Sequence, residues 1–83
     1  MDLRGYEIEI KHHAFIRAMQ RGINPDLIEK CIISGKHEVF GKNYIKFMTR
    51  SVICVGEVKG MKICIITIER IKRWTFAQNV VES

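Results

Sequence analysis

Residues 24–40 read NPDLIEKCIISGKHEVF, and the spacing of apolar positions changes inside this stretch. Asn24 has the side chain of a helix N-cap. Pro25 suits the first helical position, where its missing N–H is not needed, and Asp26 complements the positive end of the helix dipole. Leu27, Ile28, Cys31 and Ile32 then recur at helical spacing, and Gly35 ends the run. Beyond Gly35 the period falls to two. Residues 37–40 and 44–48 flank Gly41-Lys42-Asn43 and predict a hairpin. Residues 52–58 and 61–69, separated by Lys59-Gly60, predict a second. Helices first and strands afterwards indicate an α+β domain rather than alternating βα units.

Toward the N-terminus, residues 12–21 have helical spacing, with Phe15, Ile16, Met19 and Ile23 as one apolar stripe and Gly22 as a natural C′ residue. Residues 6–10 alternate Tyr6, Ile8 and Ile10 with two glutamates and predict a short edge strand. Toward the C-terminus, the last two predicted strands are nearly continuous in apolar residues, which predicts central strands covered on both faces over part of their length. Ile71, Trp74, Ala77 and Val81 approximate one face of a tail helix over 70–83, with Arg70, Lys72 and Arg73 crowding its start. Trp74 there reads either as a base-stacking residue or as an anchor onto the core or a partner. The expected architecture is one α+β domain over 1–83, with its core at about 6–69. It is an N-terminal helical hairpin packed on one face of a four-stranded antiparallel sheet, to which the short N-terminal strand and the tail helix are additions.

Composition narrows the function classes. A chain of 83 residues is one domain, and at this size only roughly 60–65% of the unfolded surface is buried, so reinforcement matters. The cysteines Cys31, Cys54 and Cys64 are odd in number, widely spaced and set within apolar runs, which argues against a disulfide framework or a zinc site. They read as buried free thiols, in keeping with the cytoplasm. No signal-like apolar stretch opens the sequence, and the longest apolar runs are too short to span a bilayer. Net charge is +5, which favours polyanionic partners. Residues 1–41 carry six basic and six acidic side chains, and residues 42–83 carry eight and three, so the excess lies in the second half.

The first helix holds the sharpest chemical pattern. His13, Arg17 and Arg21 follow one another in steps of four, which stacks them on one helix face about 6 Å apart. Two guanidiniums beside an imidazole make a row that an anion would neutralise, and phosphate matches guanidinium in a bidentate manner. The alternative is a solvated helix face whose arginines reach acidic neighbours such as Glu7 or Glu9. His12 points about 100° away, toward the edge of the core. No metal site is expected: His12 and His13 cannot face one ion, and no carboxylate follows at i+4.

The string His13-Ala14-x-x-Arg17-x-x-x-Arg21-Gly22-Ile23, followed by Pro25-Asp26-Leu27-Ile28-Glu29 and Gly35, resembles a family of small prokaryotic domains with an H-A-x-x-R-x-x-x-R-G-I signature. That family is similar to the RelE/ParE toxin superfamily, within a wider group of barnase-like and colicin-like metal-independent ribonucleases. The resemblance covers residues 8–68, with its strand half matched by pattern alone. Thr67 fits the polar residue expected near the end of the last strand, whereas Glu69 stands where an aromatic is expected. The resemblance implies an endoribonuclease that acts on RNA phosphodiesters without a cofactor or metal and is inhibited by a cognate antitoxin protein.

Such cleavage needs a base for the 2′-hydroxyl, an acid for the leaving 5′-oxygen and cations around the phosphorane. His13 is the candidate acid or base, because histidine as a type titrates near neutrality. Arg17 and Arg21 would hold the scissile phosphate. Tyr44 and Lys46 share one strand face and would add a hydroxyl and a charge, with Thr67 orienting a base or phosphate. His37 is a second candidate titrating group. Two other readings stand beside this one: an inactive module that binds RNA or a protein partner, and a homodimer in which the segment around Trp74 completes a neighbour's core.

Overall fold

The computed structural model describes residues 3–71. In chain order it comprises β1 (Glu7–Ile10), α1 (His12–Gln20), α2 (Pro25–Ser34), β2 (Lys36–Phe40), β3 (Tyr44–Met48), β4 (Val52–Lys59) and β5 (Lys62–Arg70). The strands form one sheet in the order β1-β5-β4-β3-β2. β2 to β5 make the antiparallel meander anticipated from the two turns, and β1 joins the free edge of β5 in parallel. The tail helix and the docking of Trp74 fall outside the described residues.

This arrangement corrects the expected architecture. The sheet is five-stranded and mixed rather than four-stranded and antiparallel, and the helices do not form a hairpin packed as a unit. Each makes its principal contacts with strands, α1 with β5 and α2 with β4 and β3. Side-chain size explains the separation. The buried residues of α1 are Ala14 and Ala18, which let that helix approach β5 closely. Phe15 and Met19 are half-buried at its flanks and Ile16 is exposed, so the expected Phe15/Ile16/Met19 stripe is displaced by one position. In α2 the anticipated face holds: Ile28 and Cys31 are buried, with Leu27 and Ile32 packed beside them.

β1 is integral to the sheet because its two faces match β5 separately. Ile8 and Ile10 pair in register with Ile63 and Ile65 on the helix side, while Glu7 and Glu9 fall opposite Lys62 and Cys64. Lys62 forms ion pairs with both glutamates, and Lys11 pairs with Glu9 at 3.3 Å. Hydrogen bonds from Lys62 and then Lys11 hold the Glu9 carboxyl below its ordinary pKa. A lowered carboxylate pKa stabilises the fold above the unfolded-state value and loses that contribution as pH falls through the folded value. These groups are exposed, so the contribution is small and weakened by salt.

The core lies between the helices and the near face of the sheet, around Phe47, Ile45, Ile63, Ile65, Ile68 and Ile23, all 0–1% exposed. A register shift between Val55 and Gly56 shapes it. Val55 pairs with Thr67 but Gly56 with Ile65, so Ile66 is an extra residue in β5. This bulge places Ile63, Ile65 and Ile68 together on the core side, which strict alternation does not allow. Gly56 sits where a Cβ would lie 2.8 Å from Ile63 Cγ2.

The helix termini follow the sequence closely. Asn24 Oδ1 accepts a hydrogen bond from the Leu27 N–H at 3.0 Å, satisfying one of the otherwise unpaired donors of the first turn. Asn24→Ala should therefore lower unfolding free energy by about 1 kcal/mol in urea titrations with the slope unchanged. Gly22 follows α1 with a φ of 77°, the left-handed conformation expected of a C′ glycine. Among the described residues, no helix is long and apolar enough to cross a membrane.

Candidate active site at the open edge of β5

β1 is shorter than β5, and their pairing ends at Ile10 and Ile65, with the Lys11 N–H donating to Ile65 O at 3.0 Å. From Ile66 onward, among the described residues, no strand covers this edge of β5. The chain turns there into α1, whose alanine face packs against β5. The charged face of α1 is thereby brought beside the uncovered part of the strand.

A cavity of about 240 Å³ lies in this cleft, lined by His13, Arg17 and Arg21 from α1 and by Thr67 and Glu69 from β5. The helical row anticipated from the sequence thus lines a single cleft. The cleft's cations differ in their freedom. Arg21 Nη1 donates to Ile68 O at 3.0 Å and lies 3.6 Å from Glu69 Oε1. It caps the strand edge and holds the carboxylate, rather than standing ready for a phosphate. His13 and Arg17 are exposed, and among the described residues neither side chain has an ion-pair or hydrogen-bond partner. The alternative in which the arginines reach Glu7 or Glu9 is not realised, since those carboxylates pair with Lys62 and Lys11.

Thr67 lines the cleft from the uncovered segment of β5. Register aligns it with Val55 and Lys46, on the sheet face opposite the helices, and its position in the uncovered segment lets it line the cavity rim. Tyr44 and Lys46 are not part of the site. They lie on β3, two strands from β5, and do not line the cavity. The Tyr44 ring stacks on Phe40 with centroids 5.6 Å apart, and Lys46 Nζ lies 3.3 Å from Glu38 and 6.0 Å from the Phe40 ring centroid. Both serve the β2–β3 hairpin. His12 is exposed and is not a core-edge residue. His37 sits on β2 at the far edge of the sheet, its ring 6.3 Å from that of Phe47.

Glu69 is the residue that sequence reading passed over. It stood out only as a departure from an expected aromatic, and nothing in a strand pattern signals that its carboxylate meets a helix 48 positions earlier in the chain. The cleft therefore holds an imidazole, a carboxylate, a free guanidinium, a fixed guanidinium and a hydroxyl. Between them these groups can accept a proton, donate a proton and bind an oxyanion. A larger cavity of about 480 Å³ lies between β1, α1 and α2, but its lining is aliphatic and aromatic apart from Glu29 and offers no comparable chemistry. Among the described residues no group of three His, Cys, Asp or Glu side chains could hold a metal ion.

The chain matches no protein-family model, no curated protein and no solved structure.

Proposed function

We propose that this protein is a metal-independent endoribonuclease that cleaves RNA phosphodiesters in the cleft between α1 and β5. The observation that carries this reading is the grouping of His13, Arg17 and Glu69 around one cavity, with Arg17 uncommitted. A phosphodiester seated on Arg17 has its charge matched by a donor of fixed geometry. Glu69 takes the 2′-hydroxyl proton, the 2′-oxygen attacks phosphorus, and imidazolium at His13 protonates the departing 5′-oxygen. The products are a 2′,3′-cyclic phosphate and a free 5′-hydroxyl. Arg17 offsets the charge that grows on the phosphorane oxygens, and Arg21 keeps the Glu69 carboxylate in place. The work is cytoplasmic, and such an activity calls for a cognate inhibitory protein, for which the open cleft is the natural target.

The test is cleavage of single-stranded RNA in excess EDTA. Wild type should cleave it to cyclic-phosphate ends, and Arg17→Ala should cleave at least 100-fold more slowly with an unchanged Tm. Glu69→Gln should likewise slow cleavage by about 10²-fold or more. Cleavage that requires added divalent metal, or that survives Arg17→Ala at full rate, would exclude this mechanism.

A second reading has one observation in its favour. Arg21 is already satisfied by Ile68 O and Glu69, as in a cleft that binds an anionic RNA backbone without cutting it. Salt-sensitive RNA binding, lost in Arg17→Ala, with no cleavage by wild type would establish that reading instead.

A further inference from the structure

We infer that Cys31 and Cys54 form a closable dithiol pair, which glutathione disulfide converts to a disulfide that ties α2 to β4. The third cysteine, Cys64, takes no part. This inference concerns the packing of α2 on β4 rather than the cleft between α1 and β5, and is independent of the proposed activity.

The placement of the two thiols is the ground for it. Both side chains are fully buried, at 0% exposure. Cys31 projects from the face of α2 that packs on the sheet, and its Sγ donates to Phe47 O at 3.3 Å and approaches Val52 O at 3.5 Å. Phe47 is the register partner of Cys54, and Val52 precedes Cys54 by two residues on the same strand face. The Cys31 sulfur therefore sits over Cys54, near enough for each side chain to shift the other's pKa. A disulfide requires the two sulfurs to close to about 2.05 Å. The helix is already close to the sheet at this point, because Gly35 has no Cβ to hold it off Met48 O. Cys64 cannot compete, since it pairs in register with Glu57 and Glu9, on the strand face turned away from α2.

The thiols have unequal roles. Contact with Cys54 lowers the pKa of Cys31, whereas the same contact and burial push that of Cys54 up. Cys31 is thus the attacking sulfur. Its thiolate attacks one sulfur of glutathione disulfide and expels a glutathione thiolate. Cys54 then gives up its proton and attacks the Cys31 sulfur, expelling the second glutathione. The protein loses two hydrogens and two electrons, and glutathione disulfide becomes two glutathione thiols. The link closes a loop between positions 31 and 54, and so provides, on oxidation, the reinforcement that a domain of this size lacks when reduced.

The full chain, purified reduced, is equilibrated with glutathione disulfide, then denatured and alkylated; a parallel sample is kept in dithiothreitol. Burial slows access of the oxidant, so the equilibration is repeated in low urea, where the chain stays folded but opens locally. The oxidised wild type should keep one alkylatable thiol, at Cys64, and its Tm should rise on the order of 10 °C. Cys64→Ser should form the same link. Cys31→Ser and Cys54→Ser should show no rise in Tm on oxidation. Three alkylatable thiols in both conditions, a link that includes Cys64, or a lasting glutathione adduct on Cys31 would each overturn the inference.

Discussion

Replacing His13 with alanine should lower the rate of RNA cleavage by about 10²–10⁴-fold while leaving Tm within a degree or two. The two halves of that expectation have separate grounds. The His13 side chain is exposed and bonded to no described residue, so its removal creates no cavity in the core and orphans no partner. Its neighbour Ala14 is the residue that packs α1 on β5. The kinetic loss is that of a proton donor to the 5′-oxygen, and it should fall on kcat rather than KM, because Arg17 still binds the phosphate. Tyr44→Phe and Lys46→Met serve as controls. Both residues sit two strands from the cleft, so cleavage should be unchanged by either. If His13→Ala cleaved as fast as wild type, the α1 row would be an ordinary solvated face. If Lys46→Met abolished cleavage instead, the reaction would belong to the open face of the sheet.

Gly35→Ala should be the most damaging single-methyl change, costing about 3 kcal/mol, or roughly 15 °C in Tm for a domain of this length. The cause is steric and not conformational. Gly35 has φ −72°, which alanine adopts readily, and the lower chain entropy of unfolded alanine would by itself favour the variant by less than about 1 kcal/mol. The added Cβ, however, would press on Cys31 O and lie 2.7 Å from Met48 O. Both are backbone atoms, one in α2 and one in β3, and neither can move without parting helix from sheet. Urea or thermal unfolding measures the loss directly. A variant as stable as wild type would mean that α2 has slack at its C-terminal end. Gly60→Ala is a useful comparison: its glycine is left-handed but faces open space, so the cost there is confined to backbone strain of about 1 kcal/mol.

Gly35 also separates what a sequence can signal from what it cannot. That a helix ends there was legible from the loss of helical spacing. The reason the residue must be small, a strand carbonyl from positions 48 pressing on it, belongs to the packed molecule. Asn24-Pro25-Asp26, the Gly22 C′ residue and both hairpin turns were legible because capping and turn chemistry act within a few residues. The His13/Arg17/Arg21 row was legible for the same reason, since helical geometry alone aligns steps of four.

The partners of these local features depended on the fold. Period-two reading cannot see that Ile66 is an extra residue, and the bulge it makes decides which side chains of β5 enter the core and which, Thr67 among them, stay out of it. Nor can it say that the short strand Glu7–Ile10 pairs in parallel with Lys62–Arg70, a contact between chain segments some 55 positions apart. That pairing stops before β5 does, and the uncovered remainder is where α1 brings His13 and Arg17 to Glu69. The sequence by itself determined the elements, their caps and the charged face of α1, because those rest on short-range geometry. Tertiary structure alone decided the mixed sheet, the exclusion of Tyr44 and Lys46 and the inclusion of Glu69, because each depends on strand register and on which edge is left open.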